Sequence, residues 1–274
     1  MKVYGVDFTS SPRKAKPITC AECQFDGQAL TLKTIHTFCS FSAFETWLAT
    51  PGAWIAGLDF PFGQPCKLIK NLGWPEAWSG YMALIAGMRR EEFVHILEEY
   101  KRDRAAGDKE HLRDTDKVAK AASPQKLYNP PVGKMFYEGA TRLYRSPLSI
   151  EPVRPTHDNR IIIEVYPALF IRRHIGRTSY KSDTRAKQTL EKQAARIELL
   201  KALQAKAFYH EYHFSIVLSQ EFRERLVQDT AGDEFDAVLC AIEAAWSWNQ
   251  RHQNLGIPQN VDRNEGWIVS QSLQ

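Results

Sequence analysis

The sequence lacks the patterns of several common protein classes. No stretch approaches the run of about 18 apolar residues that a transmembrane helix needs. The opening MKVYGVDF has no long apolar segment, so we expect no secretion signal. Neither the G-x-x-x-x-G-K-[ST] phosphate loop nor the G-x-G-x-x-G fingerprint occurs, so the sequence indicates no nucleotide site of either kind.

Cysteine is scarce, and its positions are scattered. The five residues are Cys20, Cys23, Cys39, Cys66 and Cys240. An odd, scattered set without a secretion signal favours reduced thiols and a cytoplasmic location. The first two form a C-x-x-C without a second pair, and along a strand their thiols would point to opposite faces. A zinc site, which needs four ligands, is therefore not expected.

The composition is that of an ordinary globular protein. The chain has 274 residues, with 43% hydrophobic and 25% charged. Lys and Arg number 36 against 32 Asp and Glu, which gives a net charge of +4. This mild excess of positive charge permits a polyanionic partner without requiring one.

Strand and helix patterns alternate, which predicts an α/β fold. Residues 2–8, 53–60 and 160–165 are apolar on both faces, as buried strands are. Asp26-Gly27 predicts a hairpin, so the first three strands are expected to be antiparallel. Apolar residues at helical spacing predict helices over residues 42–50, 184–205, 219–227 and 233–248.

The middle of the chain differs from the rest. Residues 66–122 carry apolar residues at helical spacing and a stretch dense in both charges, which predicts an insertion of two or three helices between sheet strands. Residues 123–150 are rich in proline and glycine and are predicted to be a long ordered loop or a short helix between turns. Residues 265–269 could form a last short strand or a capping segment.

Each predicted buried strand ends in one acid. These acids are Asp7, Asp59 and Glu164. If the strands run parallel, the three carboxylates meet at one edge of the sheet, where they cannot all stay ionised without a cation. Oxygen ligands of this kind suit Mg²⁺ or Mn²⁺. The alternative for Asp7 is that it caps its own turn.

A fourth acid comes from the last predicted helix. Asp233 and Asp236 share one face at its start, and the small residues that follow would let the helix lie close to the sheet. Either could be the ligand. The alternative is that both acids serve the helix itself, as an N-cap and as partners of its dipole.

Four converging acids indicate phosphodiester chemistry. Two divalent ions about 4 Å apart can activate a water molecule and stabilise the leaving oxygen. Basic side chains nearby would hold the phosphates, although each alone could equally be a surface charge. The candidates are Lys126, Lys134, Arg142, Arg145, Lys181 and Arg196.

Several short motifs follow one another in a characteristic order. They are GVDFTSS, GLDFPFG, YEG with Arg142, EVYP, SYK with the Arg196 helix, DEFDAVLCA and EGWI. In this order they resemble the domain-of-unknown-function four-two-nine family, whose members are described as predicted ribonuclease H-like nucleases. The resemblance extends over most of the chain, from Val3 to Val269.

The resemblance implies a ribonuclease H-like fold over residues 1–274, interrupted by the helical insertion. That fold has a five-stranded mixed sheet, with its first three strands antiparallel and helices on both faces. Asp7, Asp59 and Asp236 would correspond to the acids of ribonuclease H. Glu164 resembles an acid typical of this family, and Glu45 on the first helix is not assigned a role.

Three functions are compatible with the sequence. The first is a nuclease that uses Mg²⁺ or Mn²⁺, with Asp7, Asp59, Glu164 and Asp236 as metal ligands and Arg142, Lys181 and Arg196 as substrate-binding residues acting on DNA or RNA. The second is a protein that binds nucleic acid or another protein without catalysis. The third is a nucleotide-binding ATPase or kinase of the actin-like class, which would need glycine-rich phosphate loops that are not evident here.

Overall fold

The computed structural model describes residues 1–273, apart from the side chain of Arg185; Gln274, the last residue of the predicted domain, lies outside it. Within the described residues one mixed sheet contains seven strands. They are β1 (Lys2–Asp7), β2 (Ile18–Phe25), β3 (Ala29–Phe38), β4 (Trp54–Leu58), β5 (Ser149–Glu151), β6 (Arg160–Glu164) and β7 (Ser215–Val217).

Eleven α-helices accompany the sheet in the described part of the chain. They are α1 (Phe41–Leu48), α2 (Cys66–Asn71), α3 (Trp78–Gly87), α4 (Arg90–Arg102), α5 (Asp114–Ala119), α6 (Val132–Arg145), α7 (Ala168–Ile175), α8 (Leu190–Gln204), α9 (Lys206–Tyr212), α10 (Gln220–Gln228) and α11 (Asp233–Asn249). Short 3₁₀ helices cover Arg185–Lys187, Arg251–Gly256 and Gln271–Leu273. No helix within residues 1–273 combines the length and the apolar character that crossing a membrane requires.

The sheet order is β5-β6-β4-β1-β2-β3-β7. β1, β2 and β3 pair antiparallel, as the hairpin signal predicts. β4 and β6 continue parallel to β1 on its other side. The prediction of an α/β fold with three antiparallel strands is confirmed. The expectation of five strands is wrong, because the three-residue strands β5 and β7 add one pair at each edge and are too short to produce a periodic signal.

The two faces of the sheet carry separate hydrophobic cores, because successive strand residues point to opposite sides. Val3 and Ile55 belong to the core that α8 and α11 cover. Tyr4 and Ala56 belong to the core that contains α1, α3, α4 and α6. Helices therefore lie on both faces, as expected.

Residues 66–122 are helical as predicted, but they contain four helices, α2 to α5, where the sequence pattern predicts two or three. Residues 123–150 differ from the expectation of a loop or short helix, since α6 is 14 residues long. It buries Phe136, Ala140 and Leu143 at helical spacing. A Cβ at Gly139 would lie 2.3 Å from the Phe60 ring, so this glycine serves packing and does not mark a loop. The sequence pattern wrongly suggested that Gly139 interrupts a helix, whereas this glycine allows α6 to pack closely.

The long helix expected over residues 184–205 starts later than the apolar pattern suggests. α8 begins at Leu190, where the Thr189 side chain caps the first turn by accepting a hydrogen bond from the Lys192 N–H. An N-cap oxygen satisfies a helix donor that has no partner in the preceding turn. Thr189 therefore marks the start of α8, which the apolar periodicity alone placed several residues too early.

Candidate active site

β1 and β4 end in the same short motif. Residues 5–7 and 57–59 both have the pattern G-x-D. The strands are parallel neighbours, and the N–H of Asp59 donates to the carbonyl of Val6 at 3.0 Å. The two aspartates therefore lie side by side at the carboxyl end of the sheet, where α/β proteins commonly bind ligands.

The two glycines let α11 lie directly on these strands. A Cβ at Gly5 would lie 2.0 Å from the backbone nitrogen of Ala241. A Cβ at Gly57 would lie 2.6 Å from the carbonyl oxygen of Cys240. No side chain fits there, so only glycine allows this approach. Because α11 lies so close, the Asp236 carboxylate in its first turn joins Asp7 and Asp59 at one cleft.

The site is electrostatically strained by its own acids. Burial raises the pKa of Asp7 well above its usual range; Lys181 opposes this rise, and the negative charges of Asp236, Asp233 and Asp59 add to it. Burial also raises the pKa of Asp59 to about 7, and Asp236 adds to that rise. A cation at this point would relieve both effects.

The carboxylates differ in their hydrogen bonding. Among the side chains and backbone groups that the structure describes, which exclude the Arg185 side chain, none donates a hydrogen bond to the carboxylate of Asp7 or Asp59. Asp236, in contrast, accepts from the hydroxyl of Tyr180 and from the ammonium of Lys181. Two acids therefore lack a donor among the described groups, although buried polar groups in proteins are normally paired.

Lys16 holds the other acid of the α11 N-terminus. Its ammonium donates to Asp233 at 2.7 Å and to Asp183 at 2.8 Å. Asp233 is thus engaged in ion pairs and does not line the cleft, whereas Asp236 lines it together with the two strand aspartates. Of the two candidates on this helix, the structure brings Asp236 into the cluster.

Glu164 lines the same cleft as the aspartates, and its negative charge adds to the rise in the pKa of Asp59, but its carboxylate is paired with an arginine. In the parallel register Glu164 lies opposite Leu58, one residue before Asp59, so its side chain leaves the sheet on the other face. There it accepts from both terminal nitrogens of Arg113, at 2.6 and 2.8 Å. Arg113 also binds Asp116, which ties the insertion to the sheet in a buried network.

The predicted substrate-binding residues are also separated. Arg142 forms ion pairs with Glu138 and Glu45. Arg196 is buried and donates to the backbone carbonyls of Tyr180 and Val227. Neither lines the cleft, so neither can bind a substrate there, and Arg196 instead holds the segment that carries Lys181. Lys181 does line the cleft.

The sequence reasoning missed three residues that organise the site. Lys16 follows β1 in a turn, Tyr180 precedes the predicted Lys181, and Arg113 lies in the insertion. Lys16 and Arg113 have no local pattern that marks them. Tyr180 was noted only as part of the SYK motif, and its hydrogen bond to Asp236 depends on residues 56 positions apart.

A cleft of about 640 Å³ opens above the aspartates. Asp7, Asp59 and Asp236 form its acidic end, and Asp116, Glu164 and Asp183 also line it. Its walls come from the insertion, from the segment that leads into α6, and from α7. The wall residues include Ala121, Ala122, Pro130, Pro131, Met135, Tyr166 and Ile171.

No group of three or more His, Cys, Asp or Glu side chains within residues 1–273 is arranged to hold a metal ion as it stands. The physical reason is local, because the Asp236 carboxylate is turned toward Lys181 and Tyr180. The ligand chemistry nevertheless fits a hard cation, since Asp7 and Asp59 present carboxylate oxygens to which no described group of the chain donates. Asp236 would complete the set once released from Lys181.

Comparison with known proteins identifies the family of the chain but no individual related protein. No curated protein and no solved structure matches the chain. One family model matches residues 5–263, a range that includes both G-x-D strand ends and the whole of α11. The chain therefore belongs to the family described as "Protein of unknown function (DUF429)".

Proposed function

We propose that this protein is a divalent-metal-dependent nuclease that hydrolyses phosphodiester bonds in DNA or RNA. The observation that carries the proposal is the pair of carboxylates Asp7 and Asp59, which receive no hydrogen bond from any group that the structure describes and line one cleft with Asp236. Asp7 is buried and Asp59 is half-buried. Neighbouring carboxylates repel one another, and a bound Mg²⁺ or Mn²⁺ would relieve that repulsion.

The chain supplies the ligands and the phosphate contacts. Asp7, Asp59 and Asp236 would hold the metal, which when bound activates water and stabilises the leaving oxygen. Lys16 and Lys181 lie at the same end of the cleft and can contact a phosphate. In the reaction, a water oxygen bonds to phosphorus and the bond to the leaving ester oxygen breaks. The leaving oxygen keeps that electron pair and takes up a proton, and the water releases a proton to solvent.

A ribonuclease H-like fold is part of the same proposal. The five longer strands have the order β3-β2-β1-β4-β6, with the first three antiparallel and the others parallel to β1. This order, with helices on both faces, agrees with what the resemblance of the motifs implies. The acids of the first strand, the fourth strand and the last helix meet in such a fold. The cytoplasmic location stays a proposal that rests on the cysteine pattern.

The proposal is tested by incubating purified protein with labelled DNA and RNA, single-stranded, duplex and branched, in Mg²⁺ or Mn²⁺. We expect cleavage that chelation abolishes. Asp7→Asn and Asp59→Asn should each reduce the rate by about a hundredfold or more, which corresponds to roughly 3 kcal/mol of transition-state stabilisation. Asp103→Asn, at an exposed acid outside the cleft, is the matched control and should cleave like the wild type.

One observation favours a second candidate, a binding protein without catalysis. The ammonium of Lys181 already pairs with Asp236, which partly neutralises the acids without a metal. Such a protein would bind nucleic acid or a protein partner equally well after chelation. The variants Asp7→Asn and Asp59→Asn would then bind like the wild type, and no substrate would be cleaved with either metal.

A further inference from the structure

The cleft restricts what can reach the aspartates. We infer that the site accepts a single-stranded end or a short oligonucleotide, one or two nucleotides deep, and excludes duplex. This inference rests on the proposed nuclease function, since it names the substrate class of that same site. Three properties of the cleft support it: its enclosure, its charge and its apolar walls.

The first property is that the aspartates lie inside a cleft and not on an open sheet edge. Ala121 and Ala122, which follow α5 of the insertion, form part of one wall. Pro130, Pro131 and Met135, at the start of α6, extend that wall. The cleft is partly open to solvent, and its volume of about 640 Å³ is in the range of sites for small molecules and cofactors. A nucleotide or two fits that volume, whereas a double helix does not.

The second property is the small number of available cations. The Arg113 guanidinium lines the cleft, but it is already paired with Glu164 and Asp116. The other cations among the described lining residues are Lys16 and Lys181, and each of them already pairs with an aspartate. Duplex-binding proteins contact many phosphates along the backbone. Two lysines suit one or two phosphates.

The third property is an apolar wall that can receive a base. Tyr166 is half-buried and lines the cleft, with the Arg172 guanidinium 5.3 Å from the centre of its ring. Met135 and Ile171 also line the cleft. Aromatic and apolar side chains bind unstacked bases of single strands through their ring faces. Bases in a duplex are stacked on one another and cannot make this contact.

The inference is tested with end-labelled oligonucleotides of one sequence, as DNA and as RNA, in Mn²⁺. The set contains the single strand, the blunt duplex and a duplex with a single-stranded overhang. We expect the single strand to be cleaved at least about tenfold faster than the blunt duplex in kcat/KM. The overhang should be trimmed back toward the duplex and then persist. Blunt duplex cleaved as fast as single strand would overturn the inference and leave the nuclease proposal intact.

If no substrate is cleaved, a binding experiment tests the cleft inference independently of the nuclease proposal. Fluorescence anisotropy of a labelled single strand and of the matched blunt duplex is then measured with and without Mn²⁺. Tighter binding of the single strand supports the cleft inference although the nuclease proposal has failed. Equal or tighter binding of duplex, or no binding of either, overturns the inference.

A variant that fills the cleft gives an independent readout. Ala122 is half-buried and lines the cleft, so Ala122→Phe adds a ring to the cleft wall. Ala106→Phe, at an exposed alanine of the same insertion, is the matched control. We expect single-strand affinity to fall by about tenfold or more in the first variant only, with unchanged thermal unfolding in both. Unchanged affinity in Ala122→Phe would contradict the inference.

Discussion

Gly5 lies directly against Ala241, with the position of a Cβ on Gly5 only 2.0 Å from the Ala241 backbone nitrogen. The same relationship recurs between Gly57 and Cys240. These contacts bring α11 onto β1 and β4, and they precede each strand aspartate by two residues. The close packing of α11 on the two strands is therefore what brings the acids together.

Gly5→Ala should separate the acids and destabilise the fold. The added methyl meets backbone atoms, which cannot move aside as a side chain can, so α11 must shift. We expect a loss of about 3 kcal/mol or more in the free energy of unfolding, at the upper end of overpacking effects. Urea denaturation measures it.

The matched control for that substitution is Gly87→Ala at the end of α3, where a Cβ would meet no atom within 4 Å. It should be neutral or stabilise by up to about 1 kcal/mol, as Ala replacing Gly in a helix does. Similar losses in both variants would show that close approach of α11 is not what Gly5 provides.

Lys181→Met should expose the competition between the lysine ammonium and a metal ion. Without metal, Asp236 would keep Tyr180 as its donor among the described residues. We therefore expect the free energy of unfolding to fall by about 2 kcal/mol. This value is below that of a fully buried pair because the lysine is partly exposed. With the ammonium gone, Mn²⁺ should bind about tenfold more tightly and restore part of the stability. Calorimetric titration and thermal unfolding with and without Mn²⁺ measure both.

Lys33→Met, at an exposed lysine on β3, is the control and should change neither quantity. Weaker Mn²⁺ binding in Lys181→Met than in the wild type would mean that the lysine supports the metal site and does not compete for it. That result would favour a direct role of Lys181 in orienting the acids.

Glu243 should make stability depend on pH. It is buried in α11, accepts from the hydroxyls of Tyr212 and Ser270 and from the Gln271 N–H, and burial raises its pKa to about 7 from an ordinary 4.5. Between these values the native state holds a proton that the unfolded chain has lost. The free energy of unfolding therefore falls as pH rises from 4.5 to 7, by up to about 3 kcal/mol from this residue.

Glu243→Gln removes that titration, so its stability should decline less than that of the wild type over the same pH range. The variant loses a hydrogen bond from Gln271, which lowers stability at every pH and does not affect the slope. Glu198→Gln, at an exposed acid, serves as the control. Parallel curves of wild type and Glu243→Gln in urea denaturation at several pH values would contradict the prediction.

Arg113→Met should be strongly destabilising. It leaves Glu164 and Asp116 as buried acids without their common partner, and breaking such a network costs about 3–5 kcal/mol. Arg104→Met removes a partly exposed pair with Asp108 and should cost no more than about 1 kcal/mol. Urea denaturation of the two variants compares them, and equal losses would show that the buried network adds nothing beyond a surface pair.

Local patterns in the sequence were enough to predict much of the framework. The apolar strands that end at Asp7 and Asp59, the hairpin at Asp26-Gly27 and the helix that begins at Asp233 are all present. Periodicity and turn residues act within a few positions, so they can be read without a fold. The small residues of α11 also indicated, correctly, that this helix lies close to the sheet.

The sequence by itself determined which residues form the central strands, that an acid ends each of them, and the family to which the chain belongs. Only the tertiary structure decided which acids meet. Strand register sends Glu164 to the opposite face, and contacts between distant segments pair Lys181 with Asp236 and Arg113 with Glu164. Register and long-range ion pairs depend on packing across the whole sheet, and no local pattern encodes them.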